Sequence, residues 1–250
     1  MITQLPATHP RLKSLLIREK LVDGFSRGIV AREGLIAHGR GEAFDYLLGE
    51  KTSRFAMDAI RAASATLLLA RHPIISVNGN VAAISAPDVI RLSKHARAGL
   101  EVNLFYRDKR RELAIQQDLL ECGATQVYGV GRHGSANLPE LDSERRKVDP
   151  RGILVADVVL VPLEDGDRAE ALVKMGKKVI AIDLNPLSRT ARVASITIVD
   201  NLVRAIPNLV YAIKNMHSLS NEVKQKIVKQ FDNERALSKS LEIIRGRSID

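Results

Sequence analysis

The pattern of apolar and polar residues changes near residue 74. Before this point the chain favours helices, and after it short apolar runs rich in β-branched residues alternate with helical stretches. Several of these runs are continuously apolar, which is typical of strands covered on both faces. We expect strands at residues 74–77, 100–104, 126–130, 157–161, 178–182 and 195–199, and helices between them at 87–98, 109–122, 168–175 and 201–214.

The first part of the chain predicts a series of helices. One covers residues 11–27, with Pro10 in its first turn, where the missing N–H costs nothing. A loop at 36–41 is expected to lead into a short helix at 42–48. A longer helix follows from the cap Ser53, and its apolar second half suits burial in the core or in a subunit interface.

Alternating strands and helices imply right-handed crossovers and a mostly parallel sheet, so the expected fold class is α/β. The length of 250 residues suits a single domain, residues 1–250. Within it we expect an N-terminal helical part at 1–72, a core of sheet flanked by helices at 73–217, and a C-terminal helical tail at 218–250.

The composition is that of an ordinary globular protein and disfavours several classes. Hydrophobic residues make up 45% and charged residues 27%, no apolar run could cross a bilayer, and no signal-peptide pattern is visible. One cysteine excludes an internal disulfide and a cysteine zinc cluster. The net charge of +9 attracts polyanions, but basic residues interleave with acids and aromatic residues are few. We therefore expect a cytoplasmic protein with neither nucleic acid nor membrane as a partner.

Unusual polar loops follow the predicted strands. In an open parallel sheet ligands bind outside the carboxyl ends of the strands, so these loops should converge on one edge. The helices that start behind them present unpaired N–H groups and positive dipole ends, which suit phosphate. The sequence thus predicts a nucleotide- or phosphate-binding protein, with loops at residues 78–80, 105–107, 163–167, 183–186 and 200–201.

Three segments combine candidate chemistry with a plain structural alternative. Residues 38–42 place Arg40 between glycines that would let backbone N–H groups approach an anion, or they form an ordinary turn. Residues 183–190 offer groups for a purine, a ribose and a phosphate, or form a proline-containing turn that satisfies its own backbone. Asp200 and Asn201 either contact a ligand or cap a helix.

Two further loops are weaker candidates. Glu164 and Asp165 could hold Mg²⁺ near phosphates, although a simple Asp-Gly turn explains these acids more economically. Asn78 and Asn80 flank a glycine after the first strand, and we favour a substrate-contacting loop over a hairpin turn there. A match to the dinucleotide fingerprint G-x-G-x-x-G at 129–134 opens no clear helix and is rejected.

Three long runs, residues 34–50, 75–83 and 157–207, together resemble the archaeal phosphopantothenate synthetase family, also called 4-phosphopantoate–β-alanine ligases. The resemblance covers about residues 9–215. It implies a homodimer with a Rossmann-like core that uses ATP and Mg²⁺ in coenzyme A biosynthesis. The products would be 4′-phosphopantothenate, AMP and pyrophosphate, formed through an acyl-adenylate. An acyl-phosphate route, which would release ADP, needs similar residues and stays open.

The resemblance also implies the site residues. The family's ATP contacts fall on Arg18, Arg40, Asp183, Leu184, Asn185, Arg189, Thr190, Asp200 and Asn201. Arg40 and Arg189 would stabilise charge on the triphosphate, and Asp183 or Asp200 would take the ribose or the base. Loop position assigns phosphopantoate contacts to Asn78, Asn80 and Arg107.

Other functions fit parts of the same pattern. A kinase of the same pathway would also use ATP but would release ADP. A basic nucleic-acid-binding module would lose affinity steeply with added salt. A nucleotide-binding regulator would bind ATP without turning it over.

Overall fold

The computed structural model of the chain describes residues 6, 8–9, 11–131, 136–138, 141 and 144–247. The helices are α1 (Leu12–Ser26), α2 (Arg32–Leu48), α3 (Arg54–Leu69), α4 (Gly79–Ala96), α5 (Lys109–Glu121), α6 (Gly166–Lys174), α7 (Arg189–Val193), α8 (Leu202–Met216), α9 (Asn221–Gln230) and α10 (Asn233–Arg245). The strands are β1 (Pro73–Val77), β2 (Gly99–Val102), β3 (Ala136–Asn137), β4 (Lys147–Val148), β5 (Val158–Pro162), β6 (Lys178–Ile182) and β7 (Ile196–Ile198).

Five strands form one parallel sheet in the order β2-β1-β5-β6-β7. Ile75 in β1 pairs with Leu100 of β2 on one side and with Leu160 of β5 on the other. The chain moves outward from β1 to β2 and then returns to β5, so the strand order reverses between β1 and β5. The predicted α/β class with a mostly parallel sheet flanked by helices is confirmed.

Apolar side chains of the strands alternate between two cores. Ile75 and Val77 pack on one face, in a core shared with α3, α4 and α8. Ile74, Val159 and Val161 pack on the other face together with α6. Coverage of both faces explains why the strands read as unbroken apolar runs.

The helical ends of the chain also follow the prediction. The apolar half of α3 is buried against α8 and α9, so its place is the core of the chain. After residue 218 the tail forms α9 and α10, and α10 packs on α3 and α2. None of the helices in the described part of the chain is both long and apolar enough to span a bilayer.

The predicted loop at residues 36–41 was wrong, because this segment lies within the continuous helix α2. The sequence pattern assigns backbone flexibility to the glycines of this segment, whereas Gly34 and Gly41 of α2 lie against neighbouring elements. A Cβ at Gly34 would lie 2.3 Å from Asn80 Oδ1, and one at Gly41 would lie 3.5 Å from the Leu184 side chain. Backbone N–H groups within α2 belong to the helix and are not available to an anion.

The predicted loop at Asn78 and Asn80 was also wrong. Asn78 caps α4, with its Oδ1 accepting from the backbone N–H of Val81 at 3.1 Å, and Asn80 lies in the first turn. The helix expected at 87–98 therefore starts at Gly79. Proline cannot supply a helical N–H, and the chain leaves helical geometry at Ser85, two residues before Pro87, where φ is −138°.

The predicted strand at residues 126–130 does not form. Its backbone joins β2 through one bridge, between Glu101 and Tyr128. Gly129 then turns with φ of +78°, and a Cβ there would meet the Val102 carbonyl oxygen at 2.5 Å. The sequence signal missed the short antiparallel pair of β3 and β4. Residues 132–135 of the rejected glycine motif, like Pro10, lie outside the described residues.

A buried carboxylate ties the irregular segment after β4 to the sheet. Glu101 of β2 is fully buried and accepts from the backbone N–H groups of Asp149 at 3.0 Å and Ile153 at 2.6 Å. A Cβ at Gly152 would lie 2.0 Å from Glu101 Oε2, so only glycine allows this approach. Burial raises the pKa of Glu101 to about 7, against two backbone hydrogen bonds that lower it.

We expect Glu101→Gln to remove a pH dependence of stability. The pKa of Glu101 rises from 4.5 in the unfolded chain to about 7 in the fold, so its stabilising contribution is complete below pH 4.5 and is lost as the pH rises through 7. Between those limits the free energy of unfolding of the parent protein should fall by on the order of 3 kcal/mol relative to the variant. Urea denaturation across this range measures the difference. The exposed Glu234→Gln is the control, and parallel curves for Glu101→Gln and the parent would contradict the expectation.

Candidate functional site

A cavity of about 580 Å³ lies at the carboxyl edge of the sheet. Its walls come from α2 and from the segments that follow β1, β2, β5, β6 and β7. It includes the point between β1 and β5 where the strand order reverses, which is the common ligand position in open parallel sheets. Its volume falls within the range of about 300–1,000 Å³ that holds small molecules.

Most of the sequence-predicted site residues line this cavity. They are Arg40, Asn78, Asn80, Glu164, Asp165, Asp183, Leu184, Asn185, Arg189, Thr190 and Asn201. Arg18, Arg107 and Asp200 are not part of its lining. Arg18 and Asp200 lie behind the wall and hold residues that form it, as described below.

Helices α4, α6 and α8 are among those that begin at the cavity, as the strand–helix pattern predicted. Asn78 caps α4 and Asn201 caps α8 with side-chain oxygen atoms. Asp165 occupies the same position in α6, but its side chain makes no capping hydrogen bond. The α6 start therefore presents N–H groups and a positive dipole end that an anionic ligand can use.

The α2 wall carries an imidazole, a carboxylate and a cation. Arg18 Nε donates to Glu42 Oε2 at 2.8 Å, and His38 Nε2 lies 3.9 Å from the same oxygen. Burial lowers the pKa of His38 in spite of Glu42, so the imidazole is neutral at pH 7. Arg40 is exposed at the cavity and forms no ion pair among the described residues, so its guanidinium is available to a ligand.

The loop between β6 and α7 forms the turn that satisfies its own backbone, and it also lines the cavity. Asp183 accepts from the backbone N–H of Asn185 at 2.9 Å and from the hydroxyl of Ser188, which itself caps α7. Burial raises the pKa of Asp183, and the nearby Arg40 opposes that rise. Arg189 then packs over Gly166, where a Cβ would lie 2.5 Å from the Arg189 Cβ.

Both asparagine side chains at the β1–α4 junction serve the scaffold. Asn78 Nδ2 donates to the carbonyl oxygen atoms of Pro162 and Leu163, each at 3.1 Å, across the reversal point of the sheet. Asn80 Nδ2 donates to the Gly34 carbonyl at 2.8 Å and so fastens α2 to α4. These bonds position the cavity walls.

The weak Mg²⁺ candidates differ in their surroundings. Glu164 is buried and forms ion pairs with both Arg145 and Arg168, so its charge is already balanced. Asp165 is 47% exposed at its side chain and lies 3.3 Å from Arg145. Among the described residues no cluster of three or more acidic, histidine or cysteine side chains is placed to hold a metal ion.

Arg107, which its loop position predicts to contact substrate, is not part of the cavity lining. Its guanidinium pairs with Glu112 and donates to the carbonyl oxygen atoms of Lys147 at 3.0 Å and Gly129 at 2.7 Å. It joins the β2–α5 loop to the segment around β4. Arg111, four residues later, lines the cavity where Arg107 does not.

Sequence reasoning missed several lining residues, among them Tyr106, Arg111, Arg145 and Ser188. Tyr106 and Ser188 lay within the loops considered and could have been proposed. Arg145 lies in a segment without regular periodicity, and no local signal places it at the sheet edge.

An arginine shared by two buried carboxylates closes the cavity behind α2. Arg204 of α8 pairs with Asp45 of α2 at 2.5 Å, and its Nε donates to Asp200 at 2.8 Å. Asp200 also accepts from Thr52 Oγ1 at 2.6 Å, and Asn201 donates to Asp45 at 2.8 Å. Burial raises the pKa of Asp200, and Thr52 and Arg204 limit that rise.

Arg204→Ala should destabilise the protein by about 3 kcal/mol at pH 8, because it leaves Asp45 and Asp200 buried without a cation. The loss should shrink at pH 5, because burial raises the pKa of Asp200 and its carboxyl group can then take up a proton instead of remaining charged. Chemical denaturation at both pH values measures it. Arg61→Ala removes an exposed arginine from α3 as the control. An equal loss at both pH values would show that the charges are not the cause.

Comparison with known proteins agrees with this architecture. The phosphopantothenate/pantothenate synthetase family model matches residues 55–247. A protein from Thermococcus kodakarensis called 4-phosphopantoate–β-alanine ligase is 52% identical, over 98% of this chain and 94% of its own length. Proteins with the same name from Methanosarcina mazei and Methanospirillum hungatei are 50% and 54% identical, over 96% and 82% of this chain and 94% and 83% of their own lengths. The resemblance noted in the sequence is confirmed, and the chain belongs to the phosphopantothenate/pantothenate synthetase family.

Proposed function

We propose that this protein is a 4-phosphopantoate–β-alanine ligase that uses ATP and forms 4′-phosphopantothenate, AMP and pyrophosphate in coenzyme A biosynthesis. The observation that carries the proposal is identity of about half the residues, over nearly the whole chain, with relatives of that name. The cavity supports it, since Arg40, Arg111, Arg145 and Arg189 line it together with the starts of α4, α6, α7 and α8. Such a lining suits two anionic substrates.

We place ATP along the β6 and β7 side of the cavity. Arg40 and Arg189 hold the triphosphate, with Thr190 at the start of α7, and Asp183 to Asn185 face the ribose or the base. Asp200 and Arg18 do not line the cavity. Asp200 holds Arg204, and Arg18 holds Glu42, so both position other residues around the site. Asn78 and Asn80 border the acyl substrate while their amides hold the scaffold.

The reaction needs an activated carboxylate, because an amine does not displace oxygen from a carboxylate at neutral pH. A carboxylate oxygen of 4-phosphopantoate attacks the α-phosphorus of ATP, and pyrophosphate leaves. The amine of β-alanine then attacks the acyl carbon, AMP leaves, and the amine loses a proton. The protein contributes position and charge stabilisation through its arginines.

Mg²⁺ would accompany the phosphates in this proposal. Magnesium usually keeps several waters and takes one or two carboxylates together with phosphate oxygens. Asp165, half-exposed at the cavity, fits such a contact, whereas Glu164 is committed to two arginines. When bound, the ion would neutralise negative charge on the phosphates.

We also propose a cytoplasmic homodimer. Its support in the structure is a set of exposed apolar side chains on α1 and α2, namely Leu16, Val22, Phe25, Ile36, Tyr46 and Leu47. Light scattering that returned the mass of one chain would contradict the dimer.

AMP and pyrophosphate should form only when ATP, 4-phosphopantoate and β-alanine are all present. Chromatography of the nucleotide products, with each acid omitted in turn, tests this. With ¹⁸O in the carboxylate of 4-phosphopantoate, an acyl-adenylate should carry label into AMP. ADP would instead indicate a kinase or an acyl-phosphate route, and no turnover with any combination would refute the ligase.

Arg189→Ala should lower kcat/KM for ATP about ten- to a hundredfold, the value of one or two charge-assisted hydrogen bonds. Arg40→Ala should act in the same direction. Initial rates with varied ATP measure both. Arg192→Ala is the matched control, because it removes an exposed arginine from the same helix outside the cavity. If Arg189→Ala and Arg192→Ala lowered kcat/KM for ATP equally, Arg189 would not be an ATP-binding residue.

A further inference from the structure

His38 of α2 carries an imidazole at the cavity that the scaffold does not use. The residue lines the cavity, and its side chain is 13% exposed. Its Nε2 is buried, has no hydrogen-bond partner among the described residues and lies 3.9 Å from Glu42 Oε2. Buried polar atoms in native proteins are nearly always paired, so packing alone does not explain this ring.

The position of His38 on α2 directs it toward the reversal point of the sheet. His38 shares one helix face with Gly34 and Gly41, which lie four positions before it and three after it. Gly34 meets Asn80 after β1, and Gly41 meets the Leu184 side chain after β6. His38 lies between these two contacts, just as β5 lies between β1 and β6 in the sheet. The imidazole therefore faces the end of β5, where α6 begins.

The ring is neutral at pH 7 and lies beside a fixed carboxylate. Burial lowers the pKa of His38, and the negative charge of Glu42 opposes that shift. Arg18 holds Glu42 in place through a hydrogen bond of 2.8 Å. A carboxylate beside one ring nitrogen favours the tautomer with its proton there, here on Nε2. The charged groups around the ring are Glu42 and Asp45 of α2, Arg18 of α1 and, across the cavity, Asp165, Asp183 and Arg189.

Nδ1 is the ring nitrogen that remains for a substrate. It is not buried as Nε2 is, and no described residue forms a hydrogen bond with it. With the ring proton on Nε2, Nδ1 carries a lone pair that can accept a proton. The imidazolium that forms would be stabilised by Glu42. The proposed reaction leaves one proton without an acceptor, namely the one that the β-alanine nitrogen loses as the amide forms.

We propose that His38 is the general base of the amide-forming step and that Glu42 positions its ring. This inference rests on the proposed ligase function and names the group that accepts the proton. The neutral amine of β-alanine attacks the acyl carbon with its lone pair. The bond from that carbon to the phosphate oxygen of AMP breaks, and AMP keeps the electron pair. Nδ1 takes the proton from the nitrogen and later releases it to water.

The pH dependence of His38→Gln tests the base. At pH 8 the variant should lower kcat/KM for β-alanine about a hundred- to a thousandfold, the usual value of a general base, and change KM for ATP less than about twofold. The ratio of parent to variant should be constant at high pH. It should fall about tenfold per pH unit below the pKa of His38, because a protonated ring accepts no proton. His217→Gln removes an exposed imidazole outside the cavity and should leave kcat/KM unchanged at every pH.

Glu42→Gln gives a second test that keeps the imidazole, and it serves if His38→Gln does not fold. Glu42 raises the pKa of His38, so in this variant the pH below which kcat/KM steepens should move down. A parent-to-variant ratio for His38→Gln that does not depend on pH, or an unmoved break in Glu42→Gln, would overturn the general base. A parent protein that makes no AMP with all three substrates present would refute the ligase itself, which is a different outcome.

Discussion

The close contact between α2 and the start of α4 is the constraint on which the cavity depends. Asn80 donates to the Gly34 carbonyl at 2.8 Å, and a methyl group at Gly34 would lie 2.3 Å from Asn80 Oδ1. Gly79 meets the chain before α2 in the same way, since a Cβ there would lie 2.3 Å from the Ile29 carbonyl oxygen. A side chain at either glycine would push α2 away from the sheet edge. Gly34 and Gly79 let α2 and α4 approach more closely than residues with a side chain would allow. This close approach holds the α2 wall, which carries Arg40, at the cavity.

Five acids and four arginines line the cavity, yet it suits anions. Glu42 is bound to Arg18, Glu164 to two arginines, and Asp183 to its own loop. Such carboxylates neutralise and orient the cations around them, and their charge is not free to repel a ligand. Holding charged donors in place before a ligand arrives avoids reorganisation during the reaction, which is a main source of catalytic electrostatics. The internal pairs therefore support function more than stability.

The sequence predicted the sheet and one side of the cavity because both follow from local signals. Unbroken apolar runs mark buried strands, and a polar group just after a strand, such as Asp183, must lie at the carboxyl edge. Arg145 has no such marker. It reaches the cavity through bonds from Asn103 and Arg107 to residues 145 and 147, more than thirty-five positions along the chain. The choice between Arg107 and Arg111 depended on the direction in which α5 leaves β2, which composition and periodicity do not encode.

The strand order also bears on the reaction proposed above. In that proposal the triphosphate lies at the β6 end of the cavity, and the carboxylate that it activates lies beside it, in front of β1 and β5. This is where α6 begins, with no side-chain cap from Asp165 and with Arg189 packed over Gly166. Negative charge that moves from the carboxylate to the leaving pyrophosphate would stay within reach of the helix start and that guanidinium. In the proposed ligase, the reversal point of the sheet is thus well suited to stabilise this charge, because an uncapped helix start and a guanidinium meet there.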